Sequence, residues 1–234
     1  MTKSRRRGKP ERRPFSIVWQ DTLNWLAMKA SAKQTISGMV IVFSKHKGSE
    51  ATDKVAAALQ LISDFDPVRY RRVVQDIKRI WITTNTGAAG QFVNSTSTCE
   101  LDERFVLGEH TTTEQIAGAI VHEATHARLH QGGIGYEQEL RDRVEQVCME
   151  RELAFAAKLP NGESIRRWVE ARQDRPVDYS NAALKAGEIA GARDALLHLD
   201  APAWLAGIIV SFARWRHRRI VGRQDGKRAS DQPN

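Results

Sequence analysis

Three residues within one short stretch have the types and spacing needed for metal-dependent hydrolysis. His122, Glu123 and His126 form the pattern H-E-x-x-H in this chain of 234 residues. On an α-helix, positions i and i+4 lie on the same face, so both imidazoles can direct a ring nitrogen at one metal ion. Glu123 lies beside them and can hold a metal-coordinated water without being a ligand. The pattern therefore predicts a zinc site with an open position, at which Glu123 is the general base.

The segment around the motif, Ile116 to His130, has the features of a helix. Thr111-Thr112-Thr113-Glu114 matches the S/T-x-x-E capping box that often begins a helix. Gly132 and Gly133 follow the segment and are expected to end it. The predicted apolar face consists of Ile116, Ala119, Ile120, Ala124 and Ala127.

On these residues the chain resembles zincin-type zinc metallopeptidases. The resemblance is specific over Ala119 to Leu129 and looser from about Ile80 to Leu159. It implies a small sheet before the motif helix, with an edge strand that pairs with an extended peptide substrate. One position departs from the family pattern, because Arg128 stands two residues after the second histidine, where an apolar residue is usual.

Two histidines do not complete a zinc site in a protein, so a third ligand must be found. His130 is excluded, because positions i and i+8 of a straight helix are about 12 Å apart. The metzincin pattern is excluded as well, since it requires glycine at position 129 and histidine at position 132. The chain has Leu129 and Gly132 at these positions.

The resemblance then implies a gluzincin-like carboxylate from the next helix, predicted from Tyr136 to Leu159. A short connection makes the two helices antiparallel neighbours, and counting outward from Gly133 places the histidines level with residues 140 to 144. Glu145 lies near that height and at the border of the inward face, so it is the predicted third ligand. Glu152 and Glu150 remain alternatives, and Glu152 is also suited to orient a ligand.

Cys148 lies one turn from Glu145 and is either a soft metal ligand or a packing residue. Related families often have the run E-x-x-A-D from the ligand glutamate onward. Here the small residue is present as Cys148, but Met149 replaces the aspartate.

The net charge of +8 belongs to the two ends of the chain. Residues 1–14 carry +6 and residues 214–234 carry +5, which leaves −3 for residues 15–213. This distribution predicts a disordered basic arm over 1–14, a single domain over 15–220 and a disordered basic tail over 221–234. The basic ends are suited to weak contact with a polyanion or a membrane surface.

Two cysteines, Cys99 and Cys148, do not make a disulfide framework, which favours the reducing cytoplasm. Arg12-Arg13-Pro14-Phe15 is similar to a twin-arginine signal, but no apolar segment follows it. We therefore expect a cytoplasmic protein.

Periodicity and turn residues predict an α+β, mostly helical fold, in which a small β-sheet precedes the H-E-x-x-H helix and its long partner helix. The predicted strands are Met39 to Phe43, Ile80 to Thr84, Gln91 to Asn94 and Thr98 to Leu107. The other predicted helices are Phe15 to Ala30, Asp53 to Ile62, Val68 to Lys78, Ser164 to Arg172, Tyr179 to His198 and Pro202 to Ile220.

The expected function is that of a zinc-dependent metallopeptidase acting on a peptide or protein, with no small organic cofactor. Tyr136, Arg141 and His130 are the candidates for stabilising the oxyanion. The alternative is a non-catalytic or regulatory protein of the same fold that binds a protein, nucleic acid or membrane through its basic ends.

Overall fold

The computed structural model describes residues 31–43, 48–85, 87–174 and 178–230, and it is α+β and mostly helical, as predicted. The arm over 1–14 and the helix predicted from Phe15 to Ala30 lie outside the described residues. The strands are β1 (Ala32–Ile36), β2 (Met39–Phe43), β3 (Arg79–Thr83), β4 (Gly90–Val93) and β5 (Thr98–Asp102). The helices are α1 (Gly48–Phe65), α2 (Pro67–Asp76), α3 (Glu103–Val106), α4 (Thr113–Gln131), α5 (Arg141–Ala156), α6 (Glu163–Gln173), α7 (Asn181–His198) and α8 (Ala203–Ser230).

The five strands form one mixed sheet in the order β1-β2-β3-β5-β4. Strands β2, β3 and β5 are parallel, and the two edge strands β1 and β4 run antiparallel to their neighbours. Strand β1 was not predicted, because its residues are polar and mostly exposed. It forms through a two-residue turn at Ser37 and Gly38, which both have positive φ, as a tight hairpin turn requires.

The core lies between one face of the sheet and the helices α1 and α4. Ile41, Ile80 and Cys99 stand side by side across three strands and are fully buried. On the opposite face Val42 and Trp81 form a second, smaller cluster. The motif helix α4 is buried along most of its length, which fixes its position relative to the sheet.

The last predicted strand was too long. It ends at Asp102, whose carboxylate accepts a hydrogen bond from the Arg104 backbone N–H at 2.8 Å and so begins the short helix α3. Phe105 belongs to this helix and not to the strand. An aspartate at an N-cap outweighs the apolar pattern that continues beyond it.

The capping box of α4 lies one residue later than predicted. The Thr112 hydroxyl accepts a hydrogen bond from the Gln115 backbone N–H at 3.2 Å, and the Gln115 side chain accepts one from the Thr112 backbone N–H at 2.9 Å. Thr111 cannot be the cap, because its N–H bonds the Gly108 carbonyl within the preceding turn. The helix ends at Gln131 with Gly132 as C-cap, as predicted, and the following Gly133 has a φ of 81°.

The connection between α4 and α5 is longer than predicted. Helix α5 begins at Arg141 instead of Tyr136 and ends at Ala156 instead of Leu159. Residues 136–140 are exposed, so no packing against the core compensates for the cost of ordering another helical turn. Helices α4 and α5 nevertheless pack extensively against each other.

The remaining helices follow the prediction closely, with differences at their ends. Helix α1 is longer than predicted, and α2 begins with Asp66 as N-cap and Pro67 at its first turn, as predicted. Helix α8 continues to Ser230, into the stretch that was expected to form a disordered tail. Lys, Arg and Gln favour helix, and extending an existing helix is far easier than starting one. None of the helices searched in the described part of the chain is long and apolar enough to cross a membrane.

Candidate metal centre

Helix α4 places the two motif histidines one turn apart on a largely buried face. The Nε2 atoms of His122 and His126 are 3.1 Å from each other, and the two rings are tilted by 58°. His122 is buried, and His126 is partly exposed. The spacing of the motif thus brings two imidazole nitrogens to one point, as the sequence predicts.

Glu145 on helix α5 lies against the same two imidazole nitrogens. Its Oε2 atom is 3.2 Å from Nε2 of His122, and its Oε1 atom is 3.3 Å from Nε2 of His126. Two donors bound tetrahedrally to zinc, each at about 2.0–2.1 Å, are about 3.3–3.4 Å apart. The three side chains therefore form a donor set of the type and spacing that fit a zinc ion.

Glu152 holds the first histidine from the opposite side of its ring. Its Oε1 atom is 2.5 Å from Nδ1 of His122, and its Oε2 atom is 2.5 Å from the Arg172 guanidinium. Arg172 in turn stacks on the Trp168 ring at 4.2 Å. A proton on Nδ1 that bonds Glu152 leaves Nε2 free to bind a metal, which is how carboxylates orient metal-binding histidines in proteins.

The charges at this centre are strongly coupled. Burial alone lowers the pKa of His122, but hydrogen bonds to Glu145 and Glu152 raise it to about 10. Burial alone raises the pKa of Glu145, but hydrogen bonds from His122 and His126 hold it well below its usual range. Carboxylates thus surround two imidazoles, which gives the centre a strong preference for added positive charge.

Cys148 is the other possible ligand near the two histidines. Its Sγ and the ligand nitrogens of both histidines all lie within 4.8 Å of one another. Burial and the charge of Glu145 raise the pKa of the Cys148 thiol far above its usual value, which keeps it protonated. Glu145 is the better third ligand, because its two oxygens contact both imidazoles directly.

The predicted base, Glu123, is buried between α4 and the edge strand β4. A Cβ atom at Gly90 would come within 3.2 Å of Oε1 of Glu123, so the glycine leaves room for the carboxylate. Burial raises the pKa of Glu123, although His122 and His126 oppose the shift. The sequence could not tell which strand next to the site is an edge. Within the part of the chain that the structure describes, it is β4, which pairs with β5 on one side only.

The three candidates for the oxyanion lie at different distances from this centre. Tyr136 is the nearest, because its hydroxyl donates to Glu145 Oε1 at 2.5 Å and its ring stands edge-on to His126. Arg141 bonds the carbonyls of Tyr136 and Tyr179. His130 is exposed and contacts the Phe92 ring.

The structure also places the residues that depart from the family pattern or remained as alternatives. The Arg128 guanidinium is 3.2 Å from the buried carboxylate of Asp76 at the end of α2, which explains a charged residue at that position. Glu150 is exposed and accepts a hydrogen bond from Gln146. Cys99 and Cys148 are both buried and free.

Sequence reasoning did not identify Arg172 as part of the centre. A buried carboxylate such as Glu152 requires a cation, and α6 supplies several arginines. Only the packing of α6 against α5 and α4 decides that Arg172 reaches it.

Comparison of the chain with protein-family models, with curated proteins and with solved structures finds no match. The resemblance to zincins therefore stays a prediction, based on the residues and the geometry described above.

Proposed function

We propose that this protein is a zinc-dependent hydrolase of peptide bonds. The observation that carries the proposal is the triangle of His122, His126 and Glu145, whose donor atoms are separated by 3.1 to 3.3 Å. These three residues would hold the ion, and Glu152 would orient His122. When bound at such a centre, zinc lowers the pKa of a coordinated water and polarises a carbonyl group.

Glu123 is the residue to which we assign proton transfer. Its buried carboxylate has a raised pKa, and a general base works best when its pKa lies near the pH of the reaction. It would accept the proton of the attacking water on a side-chain oxygen and deliver it to the leaving amine. The neighbouring ligand Glu145 cannot take this role, because its own oxygens face the two imidazoles.

The edge strand β4 supports a peptide as the substrate. Gly90 on this strand lies against Glu123. The side of β4 that has no strand partner among the described residues offers backbone groups to an extended chain. Backbone pairing holds a peptide in register without requiring a particular sequence. A peptide on β4 would thus pass close to the base.

The test is the variant Glu123→Gln, which keeps the size of the side chain and removes the proton acceptor. We expect zinc content equal to the wild type and a loss of hydrolysis of about 100-fold or more, assayed by mass spectrometry on a broad peptide mixture. Glu114→Gln on the same helix is the matched control and should keep the full rate. Full activity of Glu123→Gln would show that Glu123 is not the base, and a zinc-loaded wild type with no hydrolysis would favour a regulatory role.

A further inference from the structure

The most exposed large apolar side chains in the described part of the chain all lie in the C-terminal hairpin of α7 and α8. They are Trp204, Ile208 and Phe212 on α8, together with Leu199 in the turn before it, and each is 59% exposed or more. An apolar group of this size on a surface commonly marks a site of contact with a protein or a membrane.

Three of these residues form a continuous line on one side of α8. Trp204, Ile208 and Phe212 follow one another at intervals of four, which places them on one helix face. The opposite face, with Ala206 and Val210, is buried where α8 packs on α7. We call Trp204, Ile208 and Phe212 the apolar stripe. The stripe is thus on the side of the helix that faces away from α7.

The basic residues of α8 begin where the stripe ends. Residues 203–213 contain no charged side chain, whereas residues 214–230 contain seven Lys/Arg and a single Asp. Arg214 and Arg216, the first two, are exposed. Large apolar side chains next to a cluster of basic residues are typical of helices that lie in the plane of a membrane interface.

We propose that the exposed face of α8 docks on an anionic lipid surface, with the apolar stripe among the acyl-chain ends and Arg214 and Arg216 at the headgroups. The apolar part of α8 is too short to span a membrane, so the proposed contact is peripheral. The proposal rests on α8 and is independent of the metal centre and of the proposed hydrolysis.

Two other occupants fit the same surface less well. A nucleic acid would pair with the basic residues, but its charged phosphates would make no favourable contact with three exposed apolar side chains. A second copy would pair stripe with stripe. A parallel pair of α8 helices would bring like charges of the two basic stretches together, and an antiparallel pair would leave the basic residues beyond the contact with no part in it.

The experiment is vesicle flotation of the whole protein at about 0.15 M salt, with phosphatidylcholine vesicles that do or do not contain about 30% phosphatidylserine. We expect binding to the anionic vesicles only. The variant Trp204→Gln/Ile208→Gln/Phe212→Gln should weaken binding at least about tenfold, because three buried apolar side chains are lost. Arg214→Gln/Arg216→Gln should weaken vesicle binding less, by several-fold. The difference in binding between this variant and the wild type should shrink as the salt concentration is raised.

Arg71→Gln/Arg72→Gln on α2 removes the same charge from an exposed helix elsewhere and is the matched control, which should bind like the wild type. Quenching by bromine-labelled lipids reports on the wild type without relying on the triple variant. We expect quenching of tryptophan fluorescence that decreases in Trp204→Phe.

Three results would overturn the proposal. The first is the absence of wild-type binding to anionic vesicles. The second is equal binding by the triple variant with no change in quenching in Trp204→Phe. The third is a wild type that forms dimers in sedimentation, dissociates in the triple variant and binds no vesicles, which would assign the stripe to a second copy.

Discussion

The Glu145 carboxylate contacts three side chains at once, so substitution of this residue tests the candidate centre most directly. Both imidazoles and the Tyr136 hydroxyl lie within 3.3 Å of its oxygens. Its carboxylate therefore either shares its charge with protonated histidines or joins them as ligands of a cation. Metal content after substitution distinguishes these two roles. The protein loses the ion if Glu145 is a ligand and keeps it if Glu145 only pairs with the histidines.

Replacement of Glu145 by alanine should remove bound zinc about as completely as His126→Ala, because each takes away one of three protein ligands. Glu152→Ala should weaken binding by about 10- to 100-fold, which is the usual effect of losing a group that orients a ligand. Glu139 is exposed on the loop before α5, so Glu139→Ala is the control and should bind zinc normally. Zinc stoichiometry by elemental analysis measures all four variants.

The same measurement decides the role of Cys148. If Glu145→Ala keeps its zinc while Cys148→Ser loses it, the third ligand is the thiol, and the assignment of Glu145 is wrong. We expect the opposite, with Cys148→Ser close to the wild type in zinc content.

Among the elements, the turn between α5 and α6 determines which side chains reach Glu152, on the Nδ1 side of the His122 ring. It returns the chain so that Arg172 lies against Glu152. Gly162 is at the tightest point of this turn, where a Cβ atom would stand 2.0 Å from the Ala156 carbonyl oxygen. Because that neighbour is backbone, it cannot move away cheaply.

Gly162→Ala should therefore destabilise the protein by about 1–3 kcal/mol, which is the usual cost of overpacking. It should also weaken zinc binding, since Arg172 and Glu152 move apart. Gly187→Ala is the matched control, because nothing lies within 4 Å of the added Cβ on helix α7, and it should stabilise by about 0.5–1 kcal/mol. Urea unfolding measures both, and equal stabilities of the two variants would contradict the role assigned to the turn.

The elements that the sequence predicts well are those specified by local signals. Asp66-Pro67 begins α2, and Gly132 ends α4, because caps and turns depend on neighbouring residues alone. Strand β1 and the start of α5 were missed, because β1 is held by pairing with β2 and the exposed loop before α5 lacks packing. Both depend on tertiary contacts that a local pattern does not contain.

The candidate site likewise contains residues that the sequence predicts and residues that it does not. The pairing of His122 with His126 follows from helix periodicity, and the position of Glu145 follows from the antiparallel arrangement of two connected helices. Arg172 could not be predicted, because its contact with Glu152 depends on how α6 returns over α5. The pairing of Arg128 with Asp76 likewise joins two helices that are distant in sequence.

At the scale of the whole molecule, the candidate metal centre connects three helices. The histidines are on α4, Glu145 and Glu152 are on α5, and Arg172 is on α6. An ion that binds this arrangement has no comparable site in the unfolded chain, so binding adds to the free energy of unfolding. Loss of the ion should for this reason lower the stability of the domain as a whole and not only of the site.

Thermal unfolding of the protein treated with EDTA, with and without added zinc, tests this coupling. Free zinc at 100 times its dissociation constant adds about 2.7 kcal/mol, which for a domain of this size corresponds to a rise in Tm of about 5–10 °C. His126→Ala should show no rise, because it lacks one ligand. Magnesium should have little effect on the wild type, since it prefers oxygen ligands. Two results would contradict this coupling. They are a wild-type Tm that responds equally to zinc and magnesium, and a His126→Ala variant that responds like the wild type. Either would show that zinc does not stabilise the fold through the proposed centre.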